Sequence, residues 1–131
     1  MSGSAGIAAS IVALVVWTSV LHVRDTFYGA AAVQTTRETM GNVASALKTF
    51  EVDVGRYPTT EEGLQALMEA PDVAGWRGPY LERVAADAWG RPLVYRCPGT
   101  DHPVEFDLFS VGPDGVEGTA DDIPLMRDPA E

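Results

Sequence analysis

Apolar and polar positions divide the chain into three stretches with different periods. From Ala5 to Val23 the run AGIAASIVALVVWTSVLHV is apolar on all sides, with Thr18, Ser19 and His22 as polar exceptions near one end. From Thr26 to Val54 there is no proline, and Met40, Val43, Ala44, Leu47, Phe50 and Val54 recur at spacings of three and four. That spacing places them on one stripe of a helix, with Arg37, Glu38, Lys48, Glu51 and Asp53 largely elsewhere. Beyond Val54 the pattern shortens. Gly55 and the following Arg56-Tyr57-Pro58 stop the helix, and what remains reads as short elements separated by turns.

The first stretch suits a bilayer. Nineteen residues of helix reach roughly 28 Å, against a hydrocarbon core about 30 Å thick. Trp17, His22, Arg24, Phe27 and Tyr28 would then lie near one interface, where aromatic and basic side chains settle. The reading taken is a retained anchor over residues 1–25. A cleaved signal peptide competes with it, against the absence of Lys or Arg before Arg24 and only a weak small-residue site at Gly29-Ala30-Ala31-Ala32. A buried core helix is the third reading, and so small a domain leaves little room for one. Charge bias across the run does not fix its orientation.

Residues 26–131 form the expected head, opening with the amphipathic helix 26–54. The helix as a whole is predicted to run from about residue 5 to 54, with Gly29 as a place to bend and its apolar half packing against copies of itself. A second helix is expected from Thr60, which caps it, with Glu61 and Glu62 favourably placed at its positive end. Leu64, Leu67 and Met68 form its apolar side, and Pro71 ends it. Trp76, Tyr80 and Trp89 then plug the core edge from a loop. Leu93–Cys97 and Val104–Val111 alternate as strands, the latter with Val104, Phe106, Leu108 and Ser110 on one face. Two such strands joined by the turn Pro98–Pro103 imply an antiparallel sheet. Laid against the helix stripe, it makes an α+β domain: one long helix on a small sheet.

Composition narrows the function. The 131 residues carry 19 acidic against 9 basic groups, a net charge of −10, which argues against nucleic-acid binding. Every formal side-chain charge lies from Arg24 onward. Cys97 is the single cysteine, so no internal disulfide can staple this small core, leaving a metal or self-assembly. No acid–base and nucleophile set converges in the sequence, so no catalytic residue is assigned.

The acids concentrate in the last loop. Between Ser110 and Ile123 lie Asp114, Glu117, Asp121 and Asp122, punctuated by Gly112, Gly115 and Gly118. Calcium takes six to eight oxygens from carboxylates and backbone carbonyls, and a glycine-rich loop offers both. Asp114 approaches from one side, Asp121 and Asp122 from the other, with the carbonyls of Val111 and Val116 available. The EF-hand spacing is missing, and zinc lacks Cys or His ligands in the loop. Two readings remain on the residues alone: a calcium site, or Asp-Gly turns on a solvated acidic surface.

Four segments carry a resemblance. Asp53–Met68 (DVGRYPTTEEGLQALM), Arg77–Leu81 (RGPYL), Ala86–Leu93 (ADAWGRPL) and Phe106–Gly115 with Asp121-Asp122-Ile123 together resemble the major pseudopilins of type II secretion. The likeness covers about residues 43–123, in order. It implies a pilin fold and a structural, non-enzymatic subunit of a pseudopilus that exports folded proteins across the outer membrane. The implied location is the inner membrane, single-pass, with the head in the periplasm. The implied partners are copies of itself, other pseudopilins and inner-membrane assembly proteins. The implied metal is calcium, with Asp114, Asp121 and Asp122 matching the family's side-chain ligands and Val111 and Val116 its carbonyl ligands.

The N-terminal stretch departs from the family pattern. The family carries a basic leader and a Gly-Phe-Thr-Leu-x-Glu processing site, whereas the apolar run here contains no glutamate and no Gly-Phe. Two functions are therefore carried forward: a polymerising pseudopilin, and a membrane-anchored calcium-binding pilin-like module that does not polymerise.

Overall fold

The computed structural model describes residues 3–83 and 86–127 and, within the first helix, the side chains of residues 12–19 and from 29 onward. The chain divides into two compact units, Met1–Ala32 and Val33–Glu131. Helix α1 (Gly3–Val54) is continuous over 52 residues. It passes through Gly29 and Gly41 without a break, because no proline removes a backbone donor along its length.

In the first unit the described side chains of residues 12–19 are exposed on every side of the helix. Val12, Leu14, Val15, Val16 and Trp17 are all exposed, between 57% and 66%. Among the described residues no helix is long and apolar enough to cross a membrane. Much of the run Ala5–Val23, and with it the expected interface side chains His22, Arg24, Phe27 and Tyr28, lies outside the described side chains.

In the second unit α1 has a buried face. Thr36, Met40, Val43, Ala46, Leu47 and Phe50 are buried, with Val33, Ala44 and Val54 packed at its margins. This is the predicted stripe. On the outer face Thr39, Ser45 and Thr49 donate back to the carbonyls of Thr35, Gly41 and Ser45, which satisfies their hydroxyls without a tertiary partner. Gly55, at φ 93°, ends the helix in the left-handed conformation open to glycine.

The expected second helix is reduced to one turn of 3-10 helix, Leu64–Leu67. Thr59, rather than Thr60, forms the capping box: its hydroxyl accepts from the Glu62 N–H at 3.1 Å, while Glu62 Oε1 accepts from the Thr59 N–H at 2.9 Å. Gly63 then adopts φ 61°, outside the helical range, so the capped turn is not continued. Thr60 is instead bonded to the sheet, its hydroxyl accepting from the Cys97 N–H at 2.9 Å.

The sheet has three short antiparallel strands in the order β1 (Val94–Arg96), β2 (Asp107–Ser110), β3 (Ile123–Pro124). Tyr95 faces Leu108 across β1 and β2, and Ser110 faces Ile123 across β2 and β3. The strand expected from Val104 begins only at Asp107, and Val104 is 95% exposed rather than on the core face. The cause is local. Gly99 N–H donates to the Glu105 carbonyl, Glu105 N–H to the His102 carbonyl, and the Asp107 carboxylate accepts from Thr100 and Asp101 N–H. These bonds close residues 99–105 into a turn. The third strand was not expected from the sequence. It is made by the last residues of the acidic loop.

Phe50, Leu67, Leu93, Tyr95, Phe106, Leu108 and Ile123 join helix and sheet in one apolar core. Tyr57 meets Phe106 edge-on with ring centroids 4.9 Å apart. Trp76 and Tyr80 stack edge to face beside Phe50, and Trp76 donates its indole N–H to the Ala66 carbonyl at 2.8 Å. The aromatics of the long loop thus pack at the core edge, as predicted.

Candidate metal loop and its supports

The acidic loop is carried by the sheet. Pairing of Ser110 with Ile123 brings its two ends together. Gly112 (φ 71°) lies so close to the Asp121 backbone carbonyl that a Cβ there would collide with it. The bare backbone at Gly112 therefore closes the loop.

Within it, Asp114 Oδ1 accepts from the Val116 N–H at 3.0 Å and Oδ2 from the Thr119 hydroxyl at 2.6 Å. The Thr119 hydroxyl, then the Val116 amide, and to a lesser degree the Arg91 charge hold the Asp114 carboxyl below the usual carboxylate range. Asp122 Oδ2 accepts from the Gly118 N–H at 2.8 Å. Its other oxygen, Oδ1, is buried with no hydrogen-bond partner among the described residues. Asp121 is exposed, with its N–H directed to the Thr119 hydroxyl at 3.3 Å. The Val116 carbonyl accepts from Thr119 at 3.2 Å, and the Val111 side chain is buried at the end of β2.

Among the described residues no three carboxylate, imidazole or thiol groups converge closely enough to hold a metal by themselves. The loop's donors are nevertheless all oxygens, carboxylate and carbonyl, the set a hard cation takes. An acid oxygen buried without a partner is costly unless something compensates it. Asp122 Oδ1 is such an oxygen, and it lies among the residues that the resemblance marks as ligands. By donor chemistry the loop fits calcium.

Long-range partners hold the loop from outside. Asp87 is buried; its Oδ2 accepts from the Ser110 hydroxyl at 2.7 Å, and its Oδ1 from the N–H groups of Trp89 and Arg91. Ser110 Oγ in turn accepts from the Gly112 N–H at 3.0 Å. Arg91 donates to the carbonyls of Gly112 and Pro113 at 3.0 and 3.3 Å. Arg96 makes a two-pronged ion pair with Glu117 at 2.6 and 2.8 Å, which holds the Glu117 carboxyl below its ordinary range.

Asp87, Arg91 and Arg96 were missed in the sequence, since each lies some twenty residues from the residue it touches. The one available signal was that Asp87 and Arg91 both fall in the ADAWGRPL motif. His102 also gains a partner the sequence did not suggest: Nδ1 lies 3.0 Å from Asp107 Oδ1. Burial pushes the Asp107 carboxyl up, but His102 and the Asp101 and Thr100 amides outweigh it and leave it lowered. A cleft of ≈ 500 Å³ separates this turn from the acidic loop, lined in part by Arg96, His102, Phe109, Glu117 and Leu125.

Comparisons with known proteins agree with this architecture. The family "Type II secretion system (T2SS), protein G" matches residues 26–126. The type II secretion system core protein G of Pseudomonas aeruginosa is 40% identical over 84 residues, covering 60% of this chain and 58% of that protein. That of Escherichia coli K12 is 43% identical over 84 residues, covering 60% and 57%. The chain thus spans less than two thirds of the length of these curated relatives. The crystal structure of the major pseudopilin from the type 2 secretion system of enterohaemorrhagic E. coli superposes with a TM-score of 0.63 at 37% identity, covering 72% of this chain and 85% of that one.

Proposed function

The chain belongs to the type II secretion system protein G family, and from that membership we propose that it is a structural subunit of a pseudopilus that helps export folded proteins across the outer membrane. The observation that carries the reading is the likeness running through residues 26–126, together with the helix-on-sheet head it accompanies. The role is structural rather than catalytic. Copies of this chain, other pseudopilins and inner-membrane assembly proteins are its partners. The head is periplasmic, and the N-terminal stretch holds it at the inner membrane. Exposed apolar side chains from Val12 to Trp17 support an environment other than water for that stretch, supplied by lipid or by neighbouring copies.

Overexpression of the full-length chain in a host with a type II system should yield fibres visible by electron microscopy, and deletion should trap secreted enzymes in the periplasm. No fibres with unimpaired secretion would overturn the polymer and favour the non-polymerising module.

Calcium is part of the same proposal, with Asp114, Asp121, Asp122 and the carbonyls of Val111 and Val116 as its ligands. Its chemistry would be to neutralise the loop's acids, and by binding only the native form it would stabilise the fold. Full-length protein in mild detergent should melt several degrees higher with calcium than with chelator, and Asp121→Ala should abolish the difference. Equal melting temperatures in the wild type would remove calcium from the reading.

A further inference from the structure

The peptide between Val111 and Gly112 is gripped from outside the loop. Its N–H, on Gly112, donates to Ser110 Oγ at 3.0 Å, and that hydroxyl donates to buried Asp87 at 2.7 Å. A trans peptide is planar, so its N–H and C=O point in opposite directions. Fixing the Gly112 N–H therefore fixes the direction of the Val111 carbonyl. The next two peptides are held as well, since Arg91 draws the Gly112 and Pro113 carbonyls toward itself. Arg91 reaches them by passing over Gly115, where a Cβ would stand 2.7 Å from Nε. Asp87 locks Arg91 in turn, accepting from the Arg91 N–H at 2.9 Å and donating its own N–H to the Arg91 carbonyl at 2.8 Å.

We propose that Asp87, Ser110 and Arg91 are positioning residues for the cation loop, aiming the Val111 carbonyl inward before any cation arrives. The proposal rests on the calcium reading and adds residues that do not themselves bind the ion. Outer partners of this kind commonly set metal affinity by orienting the ligands.

Arg91 separates positioning from simple electrostatics. It is a positive charge beside a cation site, so on Coulomb grounds removing it should tighten calcium binding. If its work is to hold the loop's carbonyls, removing it should weaken binding instead. Ser110 is neutral, so its loss changes no charge at all.

The test uses full-length protein in detergent, with calcium titrated by calorimetry and terbium luminescence reporting the ligand shell. Ser110→Ala should weaken calcium by about tenfold or more. Its terbium lifetimes in light and heavy water should show about one further bound water, replacing a carbonyl that has swung away. Arg91→Met should also weaken binding, and Arg91→Lys, which keeps a donor, should recover most of it. An unchanged affinity and water count in Ser110→Ala, or tighter binding in Arg91→Met, would overturn the proposal. Should Ser110→Ala not fold, the Arg91 pair decides. If the wild type binds no calcium, the calcium reading fails by itself. Amide hydrogen exchange of Gly115–Gly118 in chelator then decides the frame: faster exchange in the variants upholds it, unchanged exchange overturns it.

Discussion

Phe106, just before β2, and Leu108 on it are almost fully buried in the core they share with α1, whereas a few residues further on the side chains of Pro113–Asp121 stand in water. The first region is held by area removed from solvent, which is non-directional and roughly proportional to what is covered. The second has almost no apolar side chain to bury. It is held by directed bonds: Asp114 to Thr119, Asp122 to Gly118, Arg91 to Gly112, Arg96 to Glu117. A packed core needs only shape and volume, but such a loop needs each donor matched to an acceptor. A ligand can matter only where the bonding is incomplete. Phe50 and its neighbours are complete without one, while Asp122 Oδ1 is left over.

The largest expected effect lies in the packed region. Phe50→Ala removes a fully buried ring and should cost about 3–5 kcal/mol in denaturant unfolding. The loss should be the same with calcium or chelator, and a calcium-dependent loss would mean that the two regions are energetically coupled. Next comes the joint between them. Asp87→Ala leaves the Ser110 hydroxyl and the Trp89 and Arg91 amides without their acceptor, at a cost of about 2–3 kcal/mol. Unlike Phe50→Ala, it should also shrink the stabilisation that calcium gives, measured by melting with and without the ion.

The smallest effect is at an exposed polar contact away from both. Arg56, then the Thr59 amide, hold the Glu62 carboxyl at about 2, well below its ordinary 4.5. A lowered acid stabilises the fold above its unfolded value and loses that contribution as pH falls through the folded one. Glu62→Gln should therefore lower the melting temperature at neutral pH. Because Arg56 is well exposed, the loss should stay below about 1 kcal/mol. The gap from the wild type should narrow below pH 4.5 and close near pH 2, and a gap independent of pH would show that charge is not its source.

Legibility in the sequence follows the same division. The stripe Met40–Phe50 was readable because a helix places residues three and four apart on one face whatever surrounds it. The reading of Phe106 and Leu108 as core-facing held for the analogous reason, the two-residue period of a strand. Val104 obeyed that period and is nevertheless exposed, since bonds between Gly99, His102, Glu105 and Asp107 had already committed its backbone to a turn. The second helix failed at Gly63, where a single left-handed residue outweighs a good cap and an apolar pattern.

In the loop the acids and glycines were legible as a group, and the resemblance named three of the acids and two valine carbonyls as ligands, but their mutual geometry was not legible. Asp87 sits 23 residues before Ser110, and Arg91 sits 21 before Gly112. No local period relates such positions.

By itself, then, the sequence determined the long helix, its buried stripe, the α+β class and the family to which the chain belongs, because each rests on local periodicity or on contiguous motifs. Tertiary structure alone decided that β3 exists, that Thr59 caps in place of Thr60, that His102 faces Asp107, and that the ADAWGRPL segment braces the acidic loop. The physical reason is that a hydrogen bond depends on distance and direction in space, and both are set only when remote segments have been packed against one core.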